Sequence, residues 1–119
     1  MQDLTFRTFA ILFFLVGVPA LAQTNYESWP ELKNPFPSTG GNNVMIDKYD
    51  PVVGEGKCTT DFTAIVEGQS YHNEVVFDAV PIAGGVLCTN GKWRAKDGSV
   101  SGTTPFEVFI KDGVKRMKP

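Results

Sequence analysis

Residues 57–96, KCTTDFTAIVEGQSYHNEVVFDAVPIAGGVLCTNGKWRAK, decide the fold class. Apolar and polar side chains alternate along Cys58–Glu67, so Cys58, Thr60, Phe62, Ala64 and Val66 share one face. Thr59, Asp61, Thr63, Ile65 and Glu67 share the other. A period of two belongs to a strand with one buried face. Glu67-Gly68-Gln69-Ser70 reads as a turn, and Tyr71–Val80 as a second strand with Val75, Phe77 and Ala79 on its core face. Pro81 and Gly84-Gly85 end that strand. Asn90-Gly91, between apolar-containing runs, then predicts a two-residue type I′ hairpin, because both central positions of that turn need positive φ. The register sets Cys88 opposite Trp93 and places Val86, Cys88, Trp93 and Ala95 on one face, the indole beside the cysteine. Lys92, Arg94 and Lys96 form a row on the other face.

Toward the C-terminus, Asp97–Thr104 reads as a polar loop and Pro105 opens a strand in which Phe106, Val108 and Ile110 alternate with Glu107, Phe109 and Lys111. Asp112-Gly113 is a hairpin signal, and Val114–Lys118 a short basic edge strand whose lysines discourage unwanted pairing. Toward the N-terminus, residues 23–57 are broken by Pro30, Pro35, Pro37 and Pro51 and by Gly40, Gly41, Gly54 and Gly56. They predict an extended arm that touches the domain through Trp29 and Phe36, with Val44–Ile46 as a brief edge strand. The chain reads as one all-β domain over residues 58–119, a small sandwich or open barrel of five to seven short antiparallel strands.

Residues 1–22 read as an export signal. Arg7 precedes the apolar run Ala10–Val18, which is shorter than the ~20 residues a spanning helix needs. Pro19 breaks the run and Ala20-Leu21-Ala22 supplies a cleavage site, after which no transmembrane segment is expected. The location implied is periplasmic or secreted. In an oxidising compartment a small domain gains from a disulfide. Two cysteines, Cys58 and Cys88, allow one internal bridge, worth roughly 3–4 kcal/mol for a loop of about 30 residues.

Charge is unevenly spread. Residues 23–80 carry nine acidic and three basic side chains, and residues 81–119 three acidic and seven basic, so the two parts stand at −6 and +4. Such halves either meet each other or face different partners. A mildly acidic exported chain without arginine-rich or stacking patterns does not fit nucleic acid.

No motif points to catalysis. His72 is the single histidine and reads as a surface residue, with no nucleophile-elbow sequence near it. Two cysteines and one histidine cannot close a four-ligand zinc site. Asp47 with Asp50, and Asp97-Gly98-Ser99, offer hard oxygen ligands but match no calcium-loop spacing. No catalytic residue, metal or cofactor is therefore expected. The residues that suggest binding are the basic row Lys92, Arg94 and Lys96, the arm's Trp29, and Phe109, which faces away from the core pattern. They predict a non-enzymatic interaction module for another envelope or extracellular protein, with inhibition of a secreted hydrolase as a special case. The alternative is a soluble binder of an anionic glycan or lipid head group.

Overall fold

The computed structural model describes residues 24–38 and 43–119; the expected signal, residues 1–22, and Gly40 and Gly41 of the arm lie outside them. The described residues form nine strands: β1 (Phe36–Pro37), β2 (Val44–Asp47), β3 (Val52–Gly54), β4 (Lys57–Val66), β5 (Gln69–Ile82), β6 (Gly85–Ala95), β7 (Ser101–Thr104), β8 (Val108–Lys111) and β9 (Val114–Met117). A single 3₁₀ turn, Tyr26–Ser28, precedes them. Every pairing is antiparallel. The sheet runs β1-β2-β4-β5-β6-β8-β9, seven strands curled into a half-barrel, with β3 also on β4 and β7 also on β6.

Four of the hairpins turn on two residues, Glu55-Gly56, Glu67-Gly68, Ala83-Gly84 and Asp112-Gly113, and all eight of these residues have positive φ. This backbone matches the right-handed twist of the flanking strands, and glycine at the second position adopts it without a Cβ penalty. Glu67-Gly68 and Asp112-Gly113 turn where the sequence signals place them.

Asn90-Gly91 does not turn the chain. β6 continues through it, and the ladder to β5 steps from Asp78↔Thr89 to Val76↔Lys92, so Asn90 and Gly91 together oppose Phe77. This is a β-bulge, with Asn90 at φ +55° in the left-handed region. The preference of asparagine for that region serves a bulge as well as a hairpin. Gly91 is packed closely in this bulge: a Cβ on it would stand 2.7 Å from the Phe77 ring and 2.6 Å from the Thr104 methyl. The extra residue restores the parity of the strand, so Cys88, Trp93 and Ala95 do share the inner face. Trp93 stands opposite Val75, however, and not opposite Cys88. The expected loop 97–104 also contains a strand, β7, paired with Gly91–Arg94 of β6.

The bulge and the disulfide act together on sheet shape. Cys58 lies on β4 and Cys88 on β6, with β5 between them, yet their Cα atoms are 5.8 Å apart and the bridge is closed. In a flat sheet, strands two places apart are separated by roughly 9–10 Å. The bridge therefore requires the sheet to fold sharply over β5, and a bulge supplies such added twist. Inside the fold lie Cys58, Phe77, Cys88 and Val108, each essentially inaccessible to solvent.

The N-terminal arm completes the half-barrel. Leu32 N–H donates to the Lys115 carbonyl and Met117 N–H to that of Pro30, so residues 30–32 lie along β9. A few residues later the same segment forms β1 and pairs with β2 at the other end of the sheet. One piece of chain thereby lies against both β9 and β2. Asn34 pins the crossing, since its side-chain amide donates to the Tyr49 carbonyl at 2.9 Å and accepts from Tyr49 N–H at 2.8 Å.

Candidate functional site

The half-barrel is filled at one end and open at the other. At the filled end the disulfide, Phe77 and Val108 occupy the concave face. Toward the Glu67-Gly68 turn the inward residues shrink: Ala64 faces Tyr71 across β4–β5, and Ala95 faces the buried Asn73 across β5–β6. Side chains this small cannot span the concavity. A cavity of about 460 Å³ remains, floored by Ile46, Phe62, Ala64, Val66, Val75 and Phe106. That volume lies within the range of small-molecule sites.

Two polar groups stand on the buried side of this trough. Asn73 Nδ2 donates to the Tyr71 carbonyl at 3.0 Å. Tyr49 is 2 % exposed, and its hydroxyl has no hydrogen-bond partner among the described residues. Burial raises the pKa of the Tyr49 phenol well above that of an ordinary tyrosine. The mouth is formed by exposed Tyr71 and by the β6–β7 connection, Asp97 to Val100. This connection is held by Gly98 N–H to the Ala95 carbonyl, Ala95 N–H to the Val100 carbonyl, and Lys96 N–H to the His72 carbonyl. Asp97 accepts from Ser99 N–H at 2.8 Å, and hydrogen bonds from Ser99 keep its carboxyl below the usual range.

The residues singled out from sequence occupy other places. Lys92, Arg94 and Lys96 lie on the convex face. Arg94 pairs with Glu74 at 3.0 Å and Lys96 with Asp61 at 2.8 Å, while Lys92 makes no ion pair among the described residues. Lys111–Glu27 and Lys115–Asp50 also join the basic part of the chain to the acidic part. Much of the charge asymmetry is thus answered within the molecule, although exposed pairs of this kind add little stability.

Trp29 and Phe109 are brought together, but in a second small core on the convex face, at 7 % and 0 % exposure. The ring of Tyr26 stacks on Phe109 and meets Trp29 edge-on, each at 5.0 Å. The arm itself therefore covers Phe109. His72 is exposed, opposite Thr63 on β4, and no cluster of three or more metal-ligating side chains occurs among the described residues. In the sequence the only mark of the trough is the small size of Ala64 and Ala95 at inward strand positions.

No family model matches the chain, and neither the curated proteins nor the solved structures include a significant match to it.

Proposed function

We propose that the protein is an exported, non-enzymatic binding module that takes an apolar group of its ligand into the open end of the half-barrel. The observation that carries this reading is the 460 Å³ trough, with an apolar floor and polar groups around it, a composition that suits binding. The Cys58–Cys88 bridge supports a location outside the cytoplasm, and no helix among the described residues is long and apolar enough to cross a membrane. Recognition of an anionic glycan or head group by Lys92, Arg94 and Lys96 is less favoured, since two of the three already face carboxylates.

A protein partner retains one specific observation in its favour. On the convex face Val52 and Val76 flank Thr59, 55 % and 36 % exposed, and Lys92 lies opposite Val76. Such a partner would combine a small apolar contact with one free cation.

The neutral dye N-phenyl-1-naphthylamine, whose emission rises in apolar surroundings, tests the main reading. The mature protein is expected to bind it saturably and to lose that binding in Ala64→Phe, which fills the trough between Ile46 and Tyr71. Absence of saturable binding by the native protein, or full binding by a folded Ala64→Phe, would overturn the trough as the site. Capture of an envelope protein that is lost on Lys92→Glu, with no dye binding, would favour the convex face instead.

A further inference from the structure

We infer that the trough selects amphiphiles with an apolar body and a cationic head, an amine or a quaternary ammonium, and that Asp97 at its mouth makes the selection. The inference rests on the reading of the trough as a ligand site. Among the residues that line the cavity there are one histidine, His72, and one carboxylate, Asp97, and no lysine or arginine. The neighbouring Lys96 does not neutralise it, because its ammonium is drawn to Asp61 at 2.8 Å on the opposite face of the sheet. Asp97 itself makes no ion pair among the described residues; hydrogen bonds from the Ser99 side chain and N–H lower its pKa, and the N–H bond orients it.

The aromatic residues reinforce this polarity. Tyr71, half exposed at the mouth, and the partly buried Trp93 both border the cavity. Aromatic faces attract ammonium groups and give nothing comparable to carboxylates or sulfates. An apolar chain on the deeper residues Phe62, Val75 and Phe106 would leave its head toward the open end, where Tyr71 and Asp97 border the cavity. A fatty-acid head there would meet a like charge, whereas a cationic head would meet a fixed anion beside aromatic rings. The acceptors at the mouth make a neutral head intermediate.

Displacement of N-phenyl-1-naphthylamine by three probes with the same ten-carbon chain tests the inference: decyltrimethylammonium, decanol and decanoate. All are used below their aggregation limits, at low salt and at pH 8, above the ordinary titration range of histidine. The cation is expected to compete about tenfold more strongly than decanoate, with decanol between, as one fixed charge at a partly solvated mouth allows. Asp97→Asn is expected to abolish this gap, and about 0.5 M salt to shrink it. If decanoate competes as well as the cation, or the gap survives Asp97→Asn, the head-group inference is wrong and the trough reading stands. If the dye binds but no ten-carbon probe displaces it, the amphiphile inference falls. Failure of the dye itself to bind removes both.

Discussion

Replacing Tyr49 by phenylalanine should stabilise the protein. The ring is held by edge-on contacts with Phe36, Phe62, Phe77 and Phe106, at centroid distances of 5.4, 5.5, 6.5 and 6.4 Å. Its backbone is fixed by Asn34, so the substitution leaves the anchoring hydrogen bonds in place. What disappears is one hydroxyl, which folding removes from water without giving it a partner among the described residues. An unsatisfied buried polar group costs about 1–3 kcal/mol. Loss of the oxygen's dispersion contacts returns part of this, because packing at the site is slightly loosened. A net gain of about 1 kcal/mol follows, equivalent to about 4–8 °C in Tm for a domain of this size.

The variant should also behave differently in alkali. The native phenol has a raised pKa because its anion would be buried. Below the unfolded value of about 10, both states hold the proton and stability is unaffected. Above it the unfolded chain loses its proton first and binds fewer than the folded one, so stability falls as pH rises, by up to about 1.4 kcal/mol per unit. Tyr49→Phe removes that slope. Urea unfolding followed by circular dichroism at pH 7 and at about pH 10.5 measures both effects. A variant destabilised by 1 kcal/mol or more at pH 7, with an unchanged m-value, would refute the reasoning by showing that the hydroxyl is satisfied.

Three further outcomes are expected. The double variant Cys58→Ala, Cys88→Ala should lose roughly 3–4 kcal/mol in denaturant unfolding, and comparable stability in dithiothreitol would mean that the bridge does not govern the fold over β5. Gly91→Ala should cost about 1–3 kcal/mol, since the new methyl must displace Phe77 and Thr104 in a closed interior; wild-type stability would contradict the bulge packing. Asn34→Ala removes the donor and acceptor that serve the Tyr49 backbone and should cost about 1–3 kcal/mol, with protection of the Tyr49 amide against hydrogen exchange falling in parallel.

The fold was legible wherever alternation and turn chemistry agreed. Along Cys58–Val66 both cues point one way, and β4 and its partner β5 follow, down to the inward placement of Cys58 and Phe77. The Glu67-Gly68 and Asp112-Gly113 turns were legible for the same reason. Asn90-Gly91 was misread because local preference reports only that a residue tolerates positive φ. Whether the chain then reverses or bulges depends on what stands opposite, and here that is the ring of Phe77 some 13 positions earlier. β7 was missed because Ser101-Gly102-Thr103-Thr104 is polar and carries a glycine. Yet Gly102 is what lets the strand lie against the indole, where a Cβ would stand 3.0 Å from Trp93 Nε1. A strand that exists to cover another side chain leaves no period of its own.

The site was less legible than the fold for a related reason. Charged rows and exposed aromatics stand out in a sequence, and both draw attention to surfaces. In this chain the aromatic candidates serve a different end: Trp29 and Phe109 hold the arm down over β6 and β8. The arm in turn covers β9 with residues 30–32 and β2 with β1, and its Glu27 meets Lys111. A chain that uses its most visible residues to protect its sheet edges satisfies a need every open sheet has. The proposed binding feature is the place where side chains are missing. Ala64 and Ala95 sit at inward positions where a valine or leucine would complete the core, and in their stead the half-barrel keeps an apolar hollow that the disulfide end does not have. A hollow of this kind forgoes packing that a core would use for stability. The hollow lies at the end of the half-barrel away from the Cys58–Cys88 bridge, so the disulfide end supplies the constraint that side-chain packing does not supply at the open end.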